Sequence, residues 1–234
     1  MRTCIITGAS SGIGQATAIK ISNIGEFTNI VLIARRHQEL DKTKKLMNQN
    51  ANIVIIDFDL SDLDGIPEIV EQIYNQCGSI DCLLNIAGYT EPQSLLTTTI
   101  ENIKKTYQIN VFSVFLLIRE CVKYMKASNQ GCKILNVAST AGITPRPGWL
   151  SYASSKAAIV SMSQTLAEEL AEYRIKVYCI SPGRCATALR RKLAPSEDQS
   201  QIMQPEEVGE IITQLISQNE HCLDGQNIVI RKKG

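Results

Sequence analysis

Seven short runs of β-branched and aliphatic residues recur along the chain: Cys4 to Thr7, Ile30 to Ala34, Ile53 to Asp57, Cys82 to Asn85, Lys133 to Ser139, Lys176 to Ser181 and Asn227 to Ile230. Each is largely continuous rather than alternating, the signature of strands buried on both faces. Longer stretches between them carry apolar residues at helical spacing, including Gln15 to Ile24, Ile103 to Tyr124, Ala153 to Tyr173 and a helix opening at Pro205-Glu206-Glu207. Alternation of strand and helix from end to end predicts an α/β fold, a doubly wound parallel sheet with helices on both faces. No linker-like segment or repeat divides the pattern, so residues 1–234 read as a single domain. The least regular stretch, Gly183 to Gln204, reads as a mobile flap.

At 234 residues the chain affords a sizeable core. Its 24 Lys and Arg against 23 Asp and Glu leave +1, so there is no electrostatic footprint for a polyanion and nucleic acid is not an expected partner. With 44% hydrophobic and 20% charged residues, disorder is excluded. The longest apolar run, Val111 to Ile118, falls far short of the ~20 residues that span a bilayer, and Ser113 interrupts it. No membrane span is expected. Eight cysteines are scattered without a Cys-x2-Cys pair, so they predict free thiols rather than a metal site. The first apolar run meets Gly8 too soon for a signal peptide, and a reducing cytoplasm is the expected location.

The first strand runs into Thr7-Gly8-Ala9-Ser10-Ser11-Gly12-Ile13-Gly14, followed by a periodic helix. A glycine-rich strand-to-helix turn lets backbone N–H groups and the helix N-terminus face a pyrophosphate, as in a Rossmann-type domain. The three residues between Gly8 and Gly12 distinguish it from the G-x-G-x-x-G fingerprint. Where the second strand ends, an acidic residue would bind both ribose hydroxyls; Arg35 instead offers a fork suited to a 2′-phosphate. NADP(H) is therefore expected in preference to NAD(H). Otherwise Arg35 and Arg36 simply open an exposed helix.

These residues resemble the classical short-chain dehydrogenases/reductases, and the resemblance covers nearly the whole chain. It implies that Gly8, Ser10, Ser11, Gly12, Ile13 and Gly14 hold the cofactor pyrophosphate and that Asp59 and Leu60 frame the adenine. Asn85-Ile86-Ala87-Gly88 look like the family's Asn-Asn-Ala-Gly with the second Asn replaced by Ile, which keeps Ala87 and Gly88 toward the cofactor. The family's catalytic tetrad maps onto Asn110, Ser139, Tyr152 and Lys156, with Asn110 implied to reach Lys156 through water and Lys156 to bind the nicotinamide ribose. Pro182-Gly183-x3-Thr187 resembles the segment at the nicotinamide end.

Hydride transfer to a carbonyl needs an acid beside the developing alkoxide, and Tyr152 serves if its pKa of ~10 moves toward neutrality. Lys156 lies four residues on, on the same helical face, where its ammonium would favour phenolate. Ser139 supplies a hydroxyl to polarise the substrate oxygen. Trp149 is either pocket wall or loop packing, and His37 and His221 fall outside every motif. The flap holds Arg184, Arg190, Arg191 and Lys192, which suit an anionic substrate or form a solvated face. This segment bears a looser likeness to reductases acting on a pentulose phosphate in CDP-ribitol formation. The expectation is thus an NADPH-dependent oxidoreductase for a small-molecule carbonyl, with a sugar phosphate as one candidate. The alternatives are a 3-oxoacyl-(acyl carrier protein) reductase and, in another class, a dinucleotide-sensing regulator without turnover.

In the family, the surfaces around Ile103 to Tyr124 and Ala153 to Tyr173 form a dimer, so a homodimer is expected. A C-terminus reading Arg231-Lys232-Lys233-Gly234 in place of Asp-Gly-Gly weakens the case for a tetramer without excluding one.

Overall fold

The apolar runs become one parallel sheet in the computed structural model, which describes residues 2–128 and 131–232. Its strands are β1 (Thr3–Thr7), β2 (Asn29–Ala34), β3 (Asn52–Asp57), β4 (Cys82–Asn85), β5 (Cys132–Val137), β6 (Ile175–Pro182) and β7 (Asn227–Ile230). The helices are α1 (Gly12–Ile24), α2 (His37–Leu46), α3 (Ile66–Cys77), α4 (Ile100–Tyr107), α5 (Ser113–Met125), α6 (Leu150–Leu170), α7 (Ala188–Leu193) and α8 (Pro205–Ile216). Spatial order is β3-β2-β1-β4-β5-β6-β7, every pairing parallel, with Ile5 of β1 opposite both Val31 of β2 and Leu83 of β4.

Successive side chains of a strand point to opposite faces, and both faces here are buried. Ile5 packs with Ile73 of α3, Leu117 of α5 and Ile159 of α6, whereas Ile6 packs with Ile21 of α1, Leu40 of α2 and Ile212 of α8. That is why the strand sequences are continuously apolar. The winding direction reverses between β1 and β4, and a crevice opens there at the carboxyl ends of the strands, the place where such sheets bind ligands.

Three stretches differ from the sequence expectation. Strand β5 stops at Val137, so Ser139 lies beyond it and caps a 3-10 turn, Thr140–Gly142, by accepting from the Ala141 N–H at 3.1 Å. The helix expected over Ile103 to Tyr124 is α4 and α5 joined by a π-helical segment, Gln108–Phe112. The flap carries α7 and is stitched down by a bridge between Cys185 and Met203, both buried with Ile202. No helix among the described residues is long and apolar enough to cross a membrane. At the C-terminus, Arg231 and Lys232 follow β7, while Lys233 and Gly234 lie outside the described residues.

Candidate active site

The Thr7 hydroxyl sets the mouth of the crevice. It donates to the Leu84 carbonyl at 3.2 Å and accepts from the N–H groups of Ile86 and Ala87 at 2.9 and 3.1 Å, fixing the chain after β4 against the end of β1. The glycine turn closes tightly: a Cβ on Gly14 would stand 2.2 Å from the Gly8 carbonyl oxygen, so α1 starts directly on the turn only because no side chain is there. No side chain caps α1 at Ser11, which leaves its first N–H groups for an anion. Arg35 lines the crevice at the end of β2, two-thirds exposed, with Nη1 3.9 Å from the Asp59 carboxylate. Burial opposes ionisation of Asp59, but bonds from the Ser61 N–H and hydroxyl and the charge of Arg35 outweigh it and hold the carboxyl below its ordinary value.

At the other end of the crevice stand Ser139, Tyr152 and Lys156. Lys156 is buried; its Nζ donates to the Val137 carbonyl at 2.7 Å and lies 5.9 Å from the Tyr152 ring centre. Burial pushes this ammonium down to about 8, with Cys179 opposing. Burial also pushes the Tyr152 phenol up, while its hydrogen bond with Ser139 and the charge of Arg146 pull it down, leaving it above its ordinary value. Ser139 and Arg146 pull the phenol down, whereas the Lys156 ammonium, four residues on, is turned onto the backbone of β5 rather than onto the phenol oxygen.

Asn110 sits in the π-helical segment, fully buried. Its Oδ1 accepts from the Tyr89 N–H at 2.7 Å, and its Nδ2 donates to the Tyr89 carbonyl at 2.9 Å and to Ser155 Oγ at 3.0 Å. It pins the Gly88-Tyr89 corner, where a Cβ on Gly88 would lie 3.5 Å from Lys156 Nζ and 3.6 Å from Asn110 Oδ1. Asn85 works one layer below, donating to Asn136 Oδ1 at 2.8 Å.

Of the residues expected at the site, all line this one crevice except Asn85, Asn110, Pro182 and Arg191. The first two buttress it from behind. Pro182 ends β6, next to Gly183, whose N–H donates to the Ile230 carbonyl at 2.8 Å, and Arg191 donates to the Ala186 carbonyl at 3.3 Å. Thr187 caps α7, accepting from the Arg190 N–H at 3.1 Å. Trp149 does both things its position allows: it lines the crevice and packs edge-on against Tyr152 at 5.8 Å. His37 is exposed at the start of α2, 3.5 Å from Asp57 and 3.6 Å from Asp41.

Two features escaped sequence reasoning. Arg190 is already paired, donating from Nε and Nη2 to Glu197 at 2.6 and 2.7 Å, and Arg184 adds a third bond to the same carboxylate at 3.1 Å. A second arginine, Arg146, lines the crevice beside Trp149 and Tyr152. The adjoining Pro147-Gly148 is a readable turn signal, but which way Arg146 projects is decided only by the fold.

The crevice fits a dinucleotide: a tight glycine turn and an uncapped helix for the pyrophosphate, a guanidinium at the adenosine end, and a hydroxyl-phenol-ammonium cluster at the other. A 3-oxoacyl-(acyl-carrier-protein) reductase of Thermotoga maritima is 32% identical over 98% of this chain and 96% of that protein. An NADP-dependent 3-hydroxy acid dehydrogenase of Schizosaccharomyces pombe is 27% identical over 97% of this chain and 92% of its own. Among solved structures, the 3-ketoacyl-(acyl-carrier-protein) reductase from Brucella melitensis complexed with NADH superimposes with a TM-score of 0.88 at 27% identity, covering 98% of this chain and 96% of that one. Residues 2–198 match the model of the short chain dehydrogenases. With sequence, sheet order and crevice in agreement, the chain belongs to the short chain dehydrogenase family and is an oxidoreductase that uses a nicotinamide cofactor.

Proposed function

We propose that the protein is an NADPH-dependent oxidoreductase acting between a carbonyl compound and its secondary alcohol, with an anionic substrate such as a sugar phosphate. The observation that carries this reading is the meeting of Ser139, Tyr152 and Lys156 at one end of a crevice whose other end is the glycine turn and Arg35. The bound nicotinamide supplies or accepts the hydride. Ser139 holds the substrate oxygen by a hydrogen bond, and Tyr152 gives its phenolic proton to that oxygen as negative charge develops there. Lys156, fixed on the Val137 carbonyl, would hold the nicotinamide ribose through its ammonium. Asn110 acts through the backbone, holding the Gly88-Tyr89 corner against Lys156. NADP(H) is preferred because Arg35, only loosely paired with Asp59, offers an exposed fork toward a 2′-phosphate. The NADP-dependent relative of Schizosaccharomyces pombe favours the same reading, while the Brucella relative is complexed with NADH.

A second reading, 3-oxoacyl-(acyl carrier protein) reductase, is favoured by the full-length likeness to the Thermotoga enzyme. We infer a homodimer through the surfaces around Ile103 to Tyr124 and Ala153 to Tyr173, the first of which leaves Phe112 and Phe115 half exposed, at a cost that a partner surface would remove. A reducing cytoplasm suits the eight free cysteines, seven of them buried.

Optical measurement of NADPH oxidation with a panel of sugar phosphates and acyl thioesters tests the activity and separates the two substrate readings. Tyr152→Phe is expected to lower kcat at least ~100-fold with the accepted substrate while leaving NADPH affinity within a few-fold, since only the acid is removed. A variant keeping most of its kcat would show that Tyr152 is not the acid.

A further inference from the structure

The anion-binding part of the proposed function rests on cations that face the substrate, and the structure sorts them. Arg190 commits Nε and Nη2 to Glu197, the half-exposed Arg184 is drawn to the same carboxylate through Nη1, and Arg191 spends Nη1 on the Ala186 carbonyl outside the crevice. Arg35 and Arg36 belong to the adenosine end. Arg146 is left. It is half-buried, lines the crevice with Trp149 and Tyr152, and among the described residues has neither an ion pair nor a side-chain hydrogen bond.

Its position is built into the backbone. The Trp149 N–H donates to the Arg146 carbonyl at 3.1 Å, with Pro147 second and Gly148 third at φ +80°, the arrangement of a type II turn. The Ala153 N–H then donates to the Trp149 carbonyl at 2.7 Å and the indole packs on the Tyr152 ring, so turn and α6 form one rigid piece. Arg146 therefore stands at a fixed offset from the phenol, whereas the flap arginines stand on a separate segment. Asp59 is the one carboxylate lining the crevice among the described residues, and it is at the far end. A half-buried guanidinium without an acidic partner has lost part of its hydration with nothing in return, which a bidentate anion would supply.

We propose that Arg146 binds the carboxylate or phosphate of the substrate and so selects anionic over neutral carbonyl compounds. The inference rests on the oxidoreductase reading above and deepens it by assigning the substrate class to a residue. The field of Arg146 at Tyr152, which favours the ionised phenol, is consistent with a cation close to the reacting centre.

The experiment compares wild type, Arg146→Gln, Arg146→Lys and Arg190→Gln on two matched pairs, acetoacetate with its methyl ester and a pentulose 5-phosphate with the free pentulose, following NADPH oxidation. The two pairs distinguish a carboxylate from a phosphate. Wild type is expected to prefer the anionic member of one pair. Arg146→Gln should raise KM for that member by about 10- to 100-fold, the scale of a hydrogen bond to a charged group, and leave KM for the neutral member within about threefold, while any change in kcat from losing the Arg146 charge at Tyr152 is shared by both members. Arg146→Lys should recover part of the loss, and Arg190→Gln should not reproduce it. Equal effects on KM for both members of a pair, or a wild-type preference for the neutral members, would overturn the assignment. If no compound is oxidised or reduced, the activity reading fails for these substrates, and binding decides the Arg146 assignment separately. Trp149 is the single tryptophan of the chain, so its fluorescence reports an anion bound beside it in the presence of NADP+. A wild type responding to neither anion, or an Arg146→Gln variant responding as wild type does, would sink the proposal.

Discussion

Arg35 shows how one side chain sets cofactor choice. It stands two-thirds exposed and 3.9 Å from Asp59, close enough to share that carboxylate's field and loose enough to reach a 2′-phosphate. Arg35→Ala is expected to weaken NADPH binding by about 10- to 100-fold and to leave NADH nearly unaffected. Titration of both cofactors against both proteins checks this, and equal wild-type affinities would refute the NADP(H) preference. At this scale the sequence was legible wherever spacing and residue type carried the chemistry: Ser139, Tyr152 and Lys156 all line the crevice. It was not legible where direction mattered. Nothing in the spacing of Tyr152 and Lys156 says that the ammonium turns onto the Val137 carbonyl, and nothing in the density of arginine in the flap says that one glutamate seven residues past Arg190 absorbs two of them.

Among the elements, the flap is the one whose character changed most between sequence and structure. Its irregular, charged composition suggests mobility, yet Glu197 binds Arg190 through two short bonds and Arg184 through a third, and the Cys185 to Met203 bridge closes its base. A hydrogen bond from Arg190 holds the Glu197 carboxyl below its ordinary value, so at neutral pH the pair is fully charged. Glu197→Gln is expected to speed trypsin cleavage after Arg191 and Lys192 about tenfold, the scale of losing one charged hydrogen bond, with little change in the melting of the rest. An unchanged cleavage rate would mean that burial of Ile202 and Met203 alone keeps the flap down. The strands were readable because burial on both faces writes itself as uninterrupted β-branched residues. The π-helical break at Gln108–Phe112 was not, since its apolar spacing matches the α-helices on either side, and the long-range bonds of Asn110 to Tyr89 and Ser155 that accompany it leave no local pattern.

Over the whole molecule, the interior thiols give stability an alkaline limit. Burial pushes Cys132 and Cys185 up to about 12 and Cys179 to about 11, and raises Cys4, Cys77 and Cys121 as well. A thiol whose folded pKa exceeds its unfolded value of ~8.5 stabilises fully below that value and loses its contribution as pH rises above it, by up to about 1.4 kcal/mol per unit per group. Lys156, lowered to about 8, and Lys133, also lowered by burial, act in the opposite sense because the unfolded chain keeps their protons longer. Six thiols outweigh two ammonium groups, so the urea midpoint should be level to about pH 8 and fall steeply between pH 9 and 10. A midpoint that stays level to pH 10 would contradict this burial of the thiols. The sheet order has a consequence for synthesis. Strand β1 emerges first but occupies an inner position, paired with β2 on one side and with β4, nearly eighty residues later, on the other. Until Cys82–Asn85 has left the ribosome, the edge formed by Cys4, Ile5 and Ile6 is an open hydrogen-bonding template with apolar side chains on both faces. A nascent segment that stops short of β4 is therefore prone to aggregate, and a chain released at that point is expected to associate with its like rather than fold.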